Sequence, residues 1–320
     1  MRRSRAQEAL FAPPHPADYS DAPSALEYPV PSLLPLTSLV IIVFVWGYSW
    51  VLNKLALAEL GPFTFSAYRM YLASACLLLA LALSRRPFLP RRWPELLRLG
   101  LVQTTGFVGL SMWALVEGSI GRTSILVFTM PFWTVALAWP VLGERIRDWQ
   151  WLALAMALAG LVLLIRPWDP QGSLLSKFLA VTSGLAWAAG SVEVKRMQRV
   201  APIDPLALTA WQMVFGAVPM LPIAMLIGEP APVWTPRLLV ILLVLAVVST
   251  ALCWFLWLYV LRQLSTGLAS MCMLAVPVVA ILSAHWQLGE RSAPIELAGM
   301  ACIAVALLVL SGRSLRLSRR

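Results

Sequence analysis

The stretch "SLVIIVFVWGYSWVL" (residues 38–52) carries no charge and does not alternate between polar and apolar positions. Blocks like it recur along the whole chain, and a helix of roughly 20 such residues crosses the hydrocarbon core of a bilayer. Lipid offers no partner to a backbone amide, so only helices and closed barrels can span it. Barrel strands would alternate apolar and polar residues, and these blocks do not. Composition agrees: 60% of the residues are hydrophobic and 12% charged, whereas soluble domains carry about a quarter charged residues. The sequence therefore predicts an all-α integral membrane protein.

Ten spans are expected, at about 34–55, 62–83, 95–116, 121–142, 149–166, 174–195, 206–227, 237–260, 266–287 and 294–311. Short connections rich in Pro, Gly or charge join them, so sequence neighbours should pack antiparallel. Residues 1–32 hold Pro and mixed charge without an apolar core, which predicts a disordered cytoplasmic tail. Residues 312–320 read as a basic tail. With the N-terminus inside, Arg85, Arg86, Arg91, Arg92, Arg98, Arg145, Arg147, Lys195, Arg196, Arg199, Arg262 and the arginines of the C-terminal tail face the cytoplasm. Lys54, Arg122, Arg166, Lys177, Arg237 and Arg291 face out, and this bias puts both termini in the cytoplasm. It also accounts for the net charge of +10 without a nucleic-acid partner.

The chain repeats itself. "PFWTVALAWPVLGER" (131–145) and "PVVAILSAHWQLGER" (277–291) begin on proline and end on Leu-Gly-Glu-Arg at one spacing. A shift of 146 also pairs Ser124 with Ser270 and Trp113 with Tyr259. A shift of 143 pairs Arg69 with Gln212, and a shift of 141 pairs Trp46 with Trp187. The expected organisation is a first five-helix repeat over 33–167 and a second over 173–311. Five is odd, so the second enters the membrane inverted, an arrangement that builds transporters with a midplane site.

With "WGYSWVLNKLAL" (46–57), "AYRMYLASA" (67–75) and the duplicated "PFWTVALAWPVLGE" (131–144), the chain resembles the drug/metabolite transporter superfamily, in particular the EamA-type ten-helix permeases. The resemblance covers residues 33–311. It implies an alternating-access carrier with a central cavity lined by both halves, and export of amino acids or related metabolites is the family's commonest assignment. An importer, or a carrier of sugars, nucleotides, organic anions or drugs, is the alternative.

Intramembrane ionisable residues are candidates by default. Arg69 could anchor a substrate carboxylate or phosphate, or tie helices together on aromatic faces; the resemblance fits either role. Asn53 and Lys54 form a polar rim or interfacial anchor. Gln103 stands with Thr104 and Thr105 as a polar cluster in the third span. Trp46 and Trp50, four apart, share a helix face. With Trp113, Trp187, Gln212 and Tyr259 they offer an aromatic and polar cavity wall, or plain helix packing. His285 could couple protons or hydrogen-bond locally.

Absences narrow the function. No carboxylate lies in the middle of the first span, where small multidrug exporters of the same superfamily keep one, so neutral, zwitterionic or anionic solutes fit better than cations. The four cysteines lie apart within apolar blocks, which predicts neither disulfide nor metal site. No reactive cluster suggests an enzyme, and no cofactor is expected. The expected partners are a small-molecule substrate and the lipid bilayer, with a homodimer as the candidate assembly. Both Glu-Arg pairs fall at span ends on opposite sides of the membrane, which suits capping of helix ends.

Overall fold

The computed structural model describes residues 33–84, 86–90, 92–143, 148–165, 173–201, 203–263, 273, 275–291 and 293–318. The expected N-terminal tail, Glu144 with Arg145, and Arg166 lie outside these residues. Helix α1 is Leu33–Ala56 and α2 is Pro62–Leu83. Then come α3 (Trp93–Glu117) and α4 (Ile120–Leu142), followed by α5 (Asp148–Ile165) and α6 (Leu174–Val200). Helix α7 is Pro205–Leu226, α8 runs over 236–263, α9 is Ala275–Leu288 and α10 is Pro294–Ser318. Among the described residues there is no strand.

Among the described residues, six helices are long and apolar enough to cross a membrane: α1 to α4, α7, and Pro236–Trp257 of α8. The apolar stretches Gln150–Leu163, Ala275–Leu288 and Leu297–Ala306 are shorter. Helix α10 continues through Ser318, into the stretch read as a tail.

Prolines break two of the rods. Helix α4 turns at Phe128 before resuming at Met130 with Pro131 in its first turn, and α7 breaks at Val218–Pro219. A proline lacks the amide that would continue the ladder.

Packing pairs α5 with α10, α1 with α9, α2 with α7, and α4 with α6; α3 lies on α6 and α7, and α8 on α1 and α2. Exchanging every helix for the one five places along returns the same list. Between lipid-bathed helices, close approach of small residues supplies the attraction. At the α5–α10 crossing a Cβ on Gly160 would lie 2.7 Å from Ile303 Cγ1 and 2.9 Å from the Gly299 carbonyl.

Helix ends are closed by side chains from elsewhere in the chain. Gly143, Gly228 and Gly289 take φ of 70°, 69° and 68°, the left-handed stop that glycine enters without steric cost. Each is followed by glutamate. Glu229 accepts hydrogen bonds from the Phe63 and Thr64 amides at 2.7 and 2.9 Å, capping α2. Glu290 accepts from the Ile120 amide at 2.8 Å, capping α4. Lys54 Nζ donates to the carbonyls of Leu115, Val116 and Gly118 at 2.6, 2.9 and 3.0 Å, closing α3 rather than snorkelling to water. Asp204 caps its own helix α7 through the Leu206 and Ala207 amides and pairs with Arg86 at 2.7 Å.

Gly160→Leu should lower stability by about 3 kcal/mol, because the tight crossing has no room for the added atoms. Gly289→Ala meets nothing within 4 Å and should cost about 1 kcal/mol of backbone strain alone. Thermal unfolding in detergent separates the two.

Candidate functional site

Helices α3 and α8 share an irregularity. Residues Gly100–Gly109 and Val244–Leu252 are wound as π-helix, and a shift of 144 places one start on the other. Such widened turns are uncommon and recur at functional sites. Each carries a threonine whose hydroxyl reaches back five residues: Thr105 to the Gly100 carbonyl at 3.5 Å and Thr250 to the Leu245 carbonyl at 2.8 Å.

The turn in α8 gathers polar groups from three helices. Arg69 on α2, partly buried, donates from Nε to Thr250 Oγ1 at 3.0 Å and from Nη1 to Asn53 Oδ1 at 3.1 Å. The guanidinium therefore leans on two neutral oxygens, and among the described residues it forms no ion pair with a carboxylate. Beside Thr250, the Ser249 carbonyl accepts from Trp46 Nε1 at 2.8 Å. The Ser249 hydroxyl is buried and has no hydrogen-bond partner among the described residues. Leaving such a group unpaired is costly, so the local chain is built around a polar position it does not itself fill.

Aromatic rings continue from this turn. Trp46 lies 6.1 Å from Trp257 and 6.4 Å from Trp254, and Trp254 lies 5.7 Å from Trp187. Trp187 meets Phe107 edge-on at 4.7 Å. The two tryptophans paired by the repeat, Trp46 and Trp187, thus meet through Trp254. Rings in this number present both faces and edges, suited to planar or apolar groups.

The matching turn in α3 is spent on packing. Thr105 Oγ1 donates to the Gly216 carbonyl at 2.6 Å, and Gly100 lets α3 approach the α7 backbone. Gln103 is buried against Gly190, 3.5 Å from Ser191 Oγ. Gln212, the repeat mate of Arg69, is 2% exposed and its carbonyl oxygen has no hydrogen-bond partner among the described residues.

Of the residues singled out by sequence, Trp46, Asn53, Arg69 and Trp187 come together here. Trp50 instead joins an apolar cluster with Ala280 and Ala284. Trp113 packs on Phe63 at 5.9 Å. Tyr259 lies further along α8 and is partly buried. His285 is exposed, with Nδ1 3.1 Å from the Glu290 carbonyl, so it closes its own helix end. Ser249 and Thr250 escape the sequence reading. A shift of 145 lays them on Thr104 and Thr105, and that alignment was the signal that could have found them.

Comparison with known proteins identifies the family. The sequence pattern of the EamA-like transporter family matches residues 33–166 and again residues 174–312. The chain belongs to that family. It is a multi-pass transporter of the inner membrane within the drug/metabolite transporter superfamily, not an enzyme. A probable amino-acid metabolite efflux pump of Salmonella typhimurium is 28% identical over 84% of this chain and 92% of its own length. The uncharacterized transporter YoaV of Bacillus subtilis is 25% identical over 80% and 89%. The uncharacterized inner membrane transporter YedA of Escherichia coli is 26% identical over 87% and 91%. One crystal structure superposes with a TM-score of 0.64 at 19% identity, covering 88% of this chain and 98% of that one, and so shares the fold.

Thr250→Val keeps the shape but removes the acceptor of Arg69, and should lower stability in detergent by about 2 kcal/mol. Ser249→Ala removes a buried hydroxyl that has no partner among the described residues and should raise the unfolding midpoint, because the cost of leaving it unpaired goes with it.

Proposed function

We propose that the protein exports amino acids or related small metabolites by alternating access, through ten transmembrane helices arranged as two inverted five-helix repeats. The two family matches and the self-mapping list of helix pairs support that architecture. The inter-loop contacts support the up-and-down course: Glu59, Thr235 and Arg237 meet at one end, and Arg86 with Asp204, Arg98 with Glu193 at the other.

The observation that carries the substrate reading is Arg69. A guanidinium held in place by Asn53 and Thr250, without a carboxylate of its own among the described residues, retains donors for an incoming carboxylate. Ser249, the chain neighbour of Thr250, adds a buried hydroxyl without a partner among the described residues, and Trp46, Trp254 and Trp257 supply a wall for an apolar or aromatic side chain. In this mechanism the two repeats rock about the crossing of α4 and α9 and expose the site to each face in turn. The name of the Salmonella relative, an amino-acid metabolite efflux pump, points the same way.

Counterflow in proteoliposomes with pooled labelled amino acids tests the proposal. Uptake of at least one amino acid is expected, with Arg69→Ala raising its half-saturation concentration about tenfold or more, the loss of one charged contact. Arg69→Lys should keep the charge but lose the two-point grip. A silent screen with an active control transporter sinks the amino-acid reading, and unchanged affinity in Arg69→Ala removes Arg69 from the site.

A further inference from the structure

A cavity of about 310 Å³ opens between the start of α3, the end of α4 and α6. Leu99, Val102, Val141 and Ala189 form its walls, Gly190 lies buried within it, and Arg98, Glu193 and Arg196 stand on its rim. Glu193 Oε1 accepts from Arg98 Nη2 and from Arg196 Nη2, both at 3.0 Å, and Arg196 Nε lies 2.9 Å from Oε2. One carboxylate thus fixes two guanidiniums and leaves the rim with a net positive charge. Each arginine has five N–H donors, so most remain for a ligand after Glu193 is served.

The other half carries different residues at the matching positions. Shifts of 141 and 146 lay Ala189 on Tyr48 and Val141 on Gln287, and that pair closes the equivalent gap with a 2.9 Å hydrogen bond. A shift of 145 lays Arg98 on Leu243, and a shift of 141 lays Glu193 and Arg196 on Leu52 and Leu55. The cleft therefore has small residues and charge where the matching positions hold a bridging Tyr-Gln pair and leucines.

The walls tell a lipid from a soluble anion. Val102 and Val141 are 39% and 50% exposed, and such apolar walls suit an acyl chain better than a hydrated anion. The cationic rim lies at the end where the positive-inside bias puts the cytoplasm, the level of inner-leaflet headgroups. We propose that this cleft binds an anionic phospholipid, its phosphate on Arg98 and Arg196 and an acyl chain along Leu99, Val102, Val141 and Ala189. The proposal rests on the topology given under the proposed function, but not on transport.

Native mass spectrometry of the full chain in detergent tests it, titrating phosphatidylglycerol, phosphatidylcholine of the same chains, and glycerol phosphate. Phosphatidylglycerol should be retained about tenfold better than phosphatidylcholine, as two surface arginines would give. Arg98→Gln with Arg196→Gln should erase that preference. Val141→Trp keeps the charges and fills the groove, so it should release the lipid even if the double variant does not fold. Equal retention of the two lipids, or a preference that survives both variants, overturns the proposal. So does glycerol phosphate competing as well as the intact lipid, which would make the cleft a soluble-phosphate site. A silent counterflow screen leaves every one of these readings unaffected.

Discussion

A helix in lipid closes its own hydrogen-bond ladder except at its ends, where free amides and carbonyls must find partners. In this protein those partners come from distant parts of the sequence. Glu229 serves the start of α2 from 166 residues away, Glu290 serves α4 from 170, and Lys54 collects three carbonyls at the end of α3. These contacts fix which helix ends lie together, and so they fix the frame in which the interior is assembled. The Gly-Glu steps at 228–229 and 289–290 give this a compact form: the glycine stops one helix and the carboxylate starts another.

Inside that frame, the same local device has two outcomes. In α3 the widened turn turns its threonine to the α7 backbone and is consumed by packing. In α8 it turns the matching threonine to a guanidinium. The duplicated halves therefore agree in backbone and diverge in chemistry, and the polar centre is one-sided. The tryptophans temper this, because Trp46 and Trp187 reach a common ring from opposite halves.

Much of this was legible in the sequence. Apolar blocks located the helices because burial in lipid imposes a length, and the duplicated Pro-to-Glu stretch pointed to the two halves that the family pattern matches in succession. Arg69 stood out because charge in a span is costly. Thr250 and Ser249 did not, since a hydroxyl among valines carries no such signal and a π turn has no composition of its own. His285 allowed two readings, a proton carrier or a local hydrogen-bonding group, and its ring lies at the exposed end of α9 beside the Glu290 carbonyl. The Glu of Leu-Gly-Glu could be read as a cap, but not the helix it caps, because that partner is set by tertiary proximity alone.

A widened turn holds one residue more than the ideal helix around it, and each residue of an α-helix accounts for about 100° of rotation. That surplus need not stay where it is. Passing it along the rod by one register at a time exchanges one hydrogen bond for another, while the segment beyond swings about the axis. Helices α3 and α8 each hold such a surplus, at Gly100–Gly109 and Val244–Leu252. Both surpluses sit in rods that contribute to the chain of rings, Phe107 from α3 and Trp254 with Trp257 from α8.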